Sequence, residues 1–227
     1  MLILGLDTAT WKASVGLRID GQLAAERSRT ADGSHAVSLL SLIEEVVQDG
    51  GCSVRDLEAV AVSGGPGSFT GLRIGWSVAK GLAYATGARL VAVPTLEALA
   101  RTVAYLEGKI CPVLDARKGE VYAACFESQS GGLRRLTEDL LLTPDALLGM
   151  LPRPCAVLGD AVAVYGTFLQ QRLGASVTLL PSDTHGPSGG MIAAVADERL
   201  HAGAPDDLSP LEPRYIRLSE AELKWSS

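Results

Sequence analysis

Apolar runs and strict alternation predict three strands at the start of the chain, over 2–7, 13–19 and 22–28. Asp20-Gly21 supplies a tight hairpin turn between the last two. A helical pattern over 36–48 follows, with Val37, Leu40, Ile43 and Val47 recurring on one face. Next come strand 58–62, helix 70–86, strand 89–93 and helix 96–106; Gly87 is suited to close the second helix and Thr95 to cap the third. The order of elements is βββαβαβα.

The second half repeats that order. Strands are predicted near 110–115, 120–126 and 133–142, then a short helix with Thr143 as N-cap and Pro144 at N1, strand 155–158, helix 161–172, strand 176–180 and helix 188–201. The local match is visible where Leu6-Asp7-Thr8-Ala9-Thr10 leads into Ser14-Val15-Gly16-Leu17, and Leu114-Asp115-Ala116-Arg117-Lys118-Gly119-Glu120 leads into Ala123-Ala124-Cys125-Phe126. Both are an apolar strand ending in Asp, a tight turn and a second strand. The chain therefore reads as a duplicated α/β protein of two lobes with mixed central sheets, 1–107 and 108–227.

Composition narrows the class. The 227 residues, 47% hydrophobic and 20% charged, suffice for a full core. A net charge of −6 argues against a chain that grips a polyanion alone, because that task falls to basic surface. Four cysteines lack the paired spacing of a zinc site or a disulfide framework. The N-terminal run has no basic leader, and no apolar stretch is long enough to span a bilayer. The expectation is a reduced, cytoplasmic protein without membrane contact.

Two places carry candidate chemistry. The first is Ser63-Gly64-Gly65-Pro66-Gly67-Ser68-Phe69-Thr70-Gly71, a glycine-rich turn before a helix, which can aim backbone N–H groups at a phosphate. It lacks the Lys-Ser or Lys-Thr of a Walker loop, and Thr70 stands where Rossmann spacing needs glycine. The competing reading is a turn in which Ser68 or Thr70 caps the helix. Within that helix Gly71, Gly75, Ala79 and Ala83 form a small-residue stripe that calls for a close neighbour, either inside the chain or across an intermolecular seam anchored by Trp76 or Tyr84. The second place is the first hairpin, where Asp7, Thr8 and Thr10 are either phosphate contacts or plain turn chemistry. Its repeat puts Arg117 and Lys118 where a phosphate cradle needs small residues. His35, His185 and His201 have no helical ligand spacing, so no metal site is expected.

At these residues the sequence resembles the bacterial TsaB (YeaZ-like) family. The resemblance rests on Leu4-Gly5-Leu6-Asp7-Thr8-Ala9-Thr10, on Gly65-Pro66-Gly67-Ser68-Phe69-Thr70-Gly71-Leu72-Arg73-Ile74-Gly75, on Val93-Pro94-Thr95-Leu96, on Leu114 to Tyr122 and on Glu212-Pro213-Arg214-Tyr215-Ile216-Arg217. It implies an actin-like (ASKHA) fold of two ribonuclease-H-like lobes. It also implies a non-catalytic scaffold for the paralogue TsaD, which adds threonylcarbamoyl to N6 of adenosine 37 in tRNAs reading ANN codons. Only His35 stands where that paralogue carries its metal-binding histidine motif, so this chain resembles a degenerate, pseudoenzyme relative. The implied interface uses helices 36–48 and 70–86, hence Val37, Leu40, Gly71, Gly75, Trp76, Ala79 and Ala83. Asp7, Thr8, Thr10, Gly65, Gly67, Ser68 and Arg73 are left as nucleotide or structural loops. Implied partners are TsaD, the ATPase TsaE and a second copy of the chain when alone; tRNA is reached through the complex. No cofactor is implied for the isolated chain, with ATP or ADP reserved for a composite site in the complex. The rival classes are a small-molecule kinase of the superfamily and a metallopeptidase-like enzyme.

Overall fold

The computed structural model describes residues 1–30, 35–130, 132–182, 186–203 and 212–216, of which 35–38 are described by their backbone alone. The chain divides into two units, Met1–Thr102 with Pro187–Pro213 and Val103–Gly186 with Arg214–Ser227.

The first unit opens with β1 (Leu2–Asp7), β2 (Lys12–Ile19), β3 (Gln22–Thr30) and α1 (His35–Asp49). It continues with β4 (Ala59–Ser63), α2 (Phe69–Thr86), β5 (Arg89–Val93) and α3 (Thr95–Arg101), which is the predicted order. The sheet runs β3-β2-β1-β4-β5, antiparallel among the first three strands and parallel from β1 through β4 to β5. Asp20 and Gly21 both have positive φ and close the β2–β3 hairpin. β1 is buried along its whole length. Its alternation sends Leu2, Leu4 and Leu6 into one core with α1 and Trp76 and Ala79 of α2, and Ile3 into a second core on the opposite face.

The apolar face of α1 differs from the predicted one. Leu39, Leu42, Ile43, Val46 and Val47 are buried, whereas Leu40 is 51% exposed. Two adjacent rows at i, i+3, i+4 and i+7 cover a sheet better than the single row through Leu40. The Val37 side chain lies outside the described residues. Ser68 caps α2, its Oγ accepting from Gly71 N at 3.2 Å, and Gly87 ends it at φ 74°. α3 begins at Thr95 with Pro94 as N-cap, so Thr95 is not the cap; it stops at Arg101, and Thr102 N bonds back to Leu99 O.

In the second unit β6 (Gly108–Arg117) is central. β7 (Glu120–Ala123) pairs with its C-terminal half and β8 (Phe126–Gln129) with its N-terminal half. The single strand predicted over 120–126 is thus broken at Ala124-Cys125, and the one over 133–142 becomes β9 (Gly132–Arg135) and β10 (Leu140–Leu142). Then come α4 (Pro144–Met150), β11 (Cys155–Leu158), α5 (Ala161–Leu173) and β12 (Val177–Leu179), with Thr143 capping α4 as predicted. Strands β6, β11 and β12 are parallel, and α4 and α5 cover one face through Leu147, Leu151, Ala161, Leu169 and Leu173.

The last helix, α6 (Gly189–His201), corrects the predicted division at 107 and 108. It packs on β1 and β2 of the first unit. Among the described residues, the helix predicted to close the second unit is therefore α6 of the first. The physical reason is a seam of glycines. Gly5 and Gly16 are register partners in β1 and β2, and a Cβ on either would stand 2.0 Å from Gly189 O or 2.2 Å from Gly190 N. Polar bonds fix the helix start there: Gly189 N donates to Ser14 Oγ at 3.0 Å, Gly190 N to Glu26 Oε1 at 2.8 Å and Met191 N to Ser188 Oγ at 3.1 Å. Ile192, Ala193, Val195 and Ala196 then complete the second core with Ile3, Ala59, Ala61 and Val93.

Candidate functional site

The parallel strands β1 and β4 end side by side, and their last residues meet. Asp7 is fully buried, and Ser63 donates its hydroxyl to Asp7 Oδ1, with Leu6 O also 3.3 Å from Ser63 Oγ. Trp76 of α2 closes over this corner, donating Nε1–H to Ser63 O at 3.0 Å. The next residues of the hairpin run into the glycine-rich turn. Thr8 Oγ1 donates to Gly71 O at 2.8 Å, and Ser68 N donates to Ala9 O at 2.7 Å. Gly65 is held from the other side by Thr95, whose Oγ1 accepts from Gly65 N at 3.2 Å and whose N–H donates to Gly65 O at 2.9 Å.

This arrangement shows what the glycines pack against. A Cβ on Gly67 would come within 2.5 Å of Ala9 O, one on Gly71 within 2.0 Å of Thr8 O, and one on Gly75 within 2.3 Å of Thr8 Oγ1. The glycines make room for the first hairpin. Three N–H groups of this stretch are bonded inside the chain, Ser68 N to Ala9 O, Gly71 N to Ser68 Oγ and Leu72 N to Ser68 O. Thr10 makes local turn bonds with Lys12, at 3.4 and 3.5 Å. Arg73 is exposed, with its guanidinium 3.9 Å above the Phe69 ring.

The same geometry corrects part of the predicted interface. Gly71, Gly75, Trp76 and Ala79 are buried within the first unit, Trp76 at 4% exposure, so the small-residue stripe is the inner face of α2. Ala83 is half-buried against the core. The outward face of α2 is Arg73, Ser77, Gly81 and Tyr84, the last 94% exposed; on α1, which packs against α2, Leu40 and Glu44 face outward. Of the residues named from sequence, Leu40 remains on the surface.

The second hairpin is built differently. Arg117, Lys118 and Gly119 all have positive φ, and the turn is tied by Asp115, whose Oδ1 accepts from Arg117 N at 2.9 Å and whose Oδ2 pairs with the Arg117 guanidinium at 3.0 Å. Asp160, after β11, accepts from Asp115 N at 2.8 Å. Burial pushes the Asp160 carboxyl up to about 6, the nearby Asp115 charge adds to that rise, and the Asp115 N–H and Arg117 oppose it.

Sequence reasoning missed Ser63, Thr95, Asp160 and the Gly189-Gly190 pair. Ser63 and Asp7 end apolar strands and Asp160 stands two residues past one, and that position was the available signal. Nothing in the sequence pairs Gly189 with Gly5.

A family model described as TsaD, tRNA N6-adenosine threonylcarbamoyltransferase, matches residues 29–225. The tRNA threonylcarbamoyladenosine biosynthesis protein TsaB of Bacillus subtilis is 31% identical over 228 aligned residues, covering 99% of this chain and 98% of that protein. The chain belongs to the TsaB family. YeaZ from Pseudomonas aeruginosa superposes with a TM-score of 0.79 at 25% identity, over 94% of this chain and 100% of that one. At the level of fold alone, the (R)-2-hydroxyglutaryl-CoA dehydratase component A of Acidaminococcus fermentans matches with a TM-score of 0.53 at 12% identity, covering 86% and 97% of the two chains. The chain thus has the actin-like fold, here with the glycine-rich turn packed on its own first hairpin. Among the described residues no helix is long and apolar enough to cross a membrane.

Proposed function

We propose that this chain is a non-catalytic subunit in the biosynthesis of tRNA threonylcarbamoyladenosine, a scaffold that pairs with the catalytic paralogue TsaD and works with the ATPase TsaE. The observation that carries the reading is the full-length match to a protein named for that pathway. Two features of the chain support the scaffold role. The glycine-rich turn packs against its own first hairpin, with Ser68 N bonded to Ala9 O, Gly71 N to Ser68 Oγ and Gly67, Gly71 and Gly75 facing Ala9 and Thr8, a structural use of the glycines. Leu40 and Tyr84 stand exposed on two mutually packed helices, where aromatic and aliphatic anchors suit a partner. The acidic balance supports tRNA contact through the partners rather than this chain. ATP or ADP belongs to the assembled complex, and the cytoplasm is the compartment of the work.

The test is reconstitution. The pure chain given threonylcarbamoyl-adenylate and tRNA should yield no modified adenosine. Addition of TsaD and TsaE should restore modification, and omission of this chain should abolish it. Transfer by the chain alone would overturn the non-catalytic reading; full activity of TsaD and TsaE without it would overturn the scaffold.

A further inference from the structure

Three of the four cysteines converge in the core of the second unit. Cys111 of β6 and Cys125, at the break between β7 and β8, face each other across the antiparallel ladder between the Ile110–Phe126 and Val113–Ala123 pairs, with their sulfurs 3.1 Å apart. Cys155 lies on the neighbouring strand β11, in register with Lys109 two residues before Cys111, and Cys125 Sγ lies 3.1 Å from Met150 Sδ. The backbone of Cys125 is fixed on both sides, its N–H donating to Thr137 Oγ1 at 2.9 Å and its carbonyl accepting from Leu136 N at 2.8 Å. Exposure is graded: Cys111 0%, Cys125 1% and Cys155 6%.

We propose that Cys111, Cys125 and Cys155 form an internal thiol relay that a small peroxide converts to a Cys111–Cys125 disulfide. Cys155 is the entry point, the least buried of the three. The neighbouring Cys111 thiol lowers the Cys155 thiol, burial opposes that and the charge of Arg153 adds to it, while the Cys125 and Cys155 thiols and then burial push Cys111 up. The Cys155 sulfur attacks one peroxide oxygen, the O–O bond breaks, and sulfenic acid and one water result. Cys111 attacks that sulfur, forming a Cys155–Cys111 disulfide and releasing the second water. Cys125 then attacks the Cys111 sulfur and returns Cys155 to a thiol. In sum two thiols and one peroxide give one disulfide and two waters. Bond formation draws the Cys111 and Cys125 sulfurs closer by about 1 Å, within reach of side-chain rotation.

Native full-length protein is treated with hydrogen peroxide, unfolded in alkylating reagent and digested without reduction, and the peptides are weighed. The expected product is a Cys111–Cys125 linked pair, two hydrogens lighter than the free peptides and reversed by dithiothreitol, with Cys52 still alkylated. Cys155→Ser, checked by Cys155→Ala against a folding defect, should slow its formation on the order of tenfold, while Cys52→Ser leaves the rate unchanged. Cys111 and Cys125 remaining alkylatable while Cys52 oxidises would overturn the site; undiminished rates in both Cys155 variants would overturn the relay.

Discussion

Gly5 in β1 meets Gly189 at the start of α6 so closely that a Cβ on Gly5 would stand 2.0 Å from the Gly189 carbonyl oxygen. The neighbouring strand repeats the contact, because Gly16 is the register partner of Gly5 and a Cβ there would reach Gly190 N at 2.2 Å. Two glycines side by side in a sheet and two at a helix start let backbone lie on backbone. Ser14 of β2 and Glu26 of β3 satisfy the first helical N–H groups.

The glycine seam predicts a large cost for the smallest side chain. Gly5→Ala collides with main-chain atoms that cannot rotate away, so it should cost about 3 kcal/mol or more and lower the melting temperature by on the order of 10 °C. Gly81→Ala is the control, since Gly81 lies inside α2 and nothing approaches a Cβ there within 4 Å. That change should stabilise by up to about 1 kcal/mol. Calorimetry of both variants checks the contrast.

Gly71 and Gly75 allow a finer test of the first hairpin. A methyl on Gly75 meets the Thr8 hydroxyl at 2.3 Å, a group that substitution can remove; a methyl on Gly71 meets the Thr8 carbonyl at 2.0 Å, which no substitution of Thr8 removes. Both alanine variants should destabilise by about 1 to 3 kcal/mol. Thr8→Ala should recover part of the Gly75→Ala loss and none of the Gly71→Ala loss, as urea midpoints of the double-mutant cycles would show. Equal rescue at both sites would contradict this geometry.

The order of elements in the first unit was legible because each strand and helix carries its own period, and caps such as Ser68 and Gly87 mark the ends locally. The placement of α6 was not legible. Its contacts with Gly5 and Gly16 span most of the chain, and a sequential reading assigns the last helix to the last sheet. The stripe on α2 shows a similar limit. Small residues at helical spacing announce a close neighbour, but only the fold shows it to be Thr8 rather than another subunit. Leu40 misled the reading of α1 because a leucine at an outward position looks the same in sequence as one facing the core.

Asp160 predicts a pH dependence with a definite direction. Its carboxyl titrates near 6 in the fold against a usual value of 3.8, raised by burial first. Below 3.8 the group is neutral whether folded or not, and it adds no penalty. As pH rises through about 6 the folded chain must hold a buried charge, so stability is lost across that window. Asp160→Asn keeps an acceptor for Asp115 N and lacks the charge. The stability of the wild type relative to this variant should therefore fall between pH 4 and 6 and stay level above, measured by urea unfolding at a series of pH values. A constant difference across the window would remove Asp160 as the cause.

The surface of α1 and α2 separates a partner contact from a core contact in one experiment. Leu40 is 51% and Tyr84 94% exposed, while Trp76 is 4% exposed and bonded to Ser63 O. Leu40→Glu and Tyr84→Glu add charge to a face that bears little load in the free chain, so each should change stability by no more than about 0.5 kcal/mol. Trp76→Ala opens a cavity and should cost about 3 to 5 kcal/mol. If α1 and α2 meet the partner, the two surface variants should lose association with TsaD on size-exclusion chromatography at an unchanged melting temperature, because a buried carboxylate without a counter-charge is costly at an interface core. Trp76→Ala should fail first as a fold, and any loss of pairing should track its unfolding. Surface variants that still pair at wild-type affinity would move the contact to another face of the molecule.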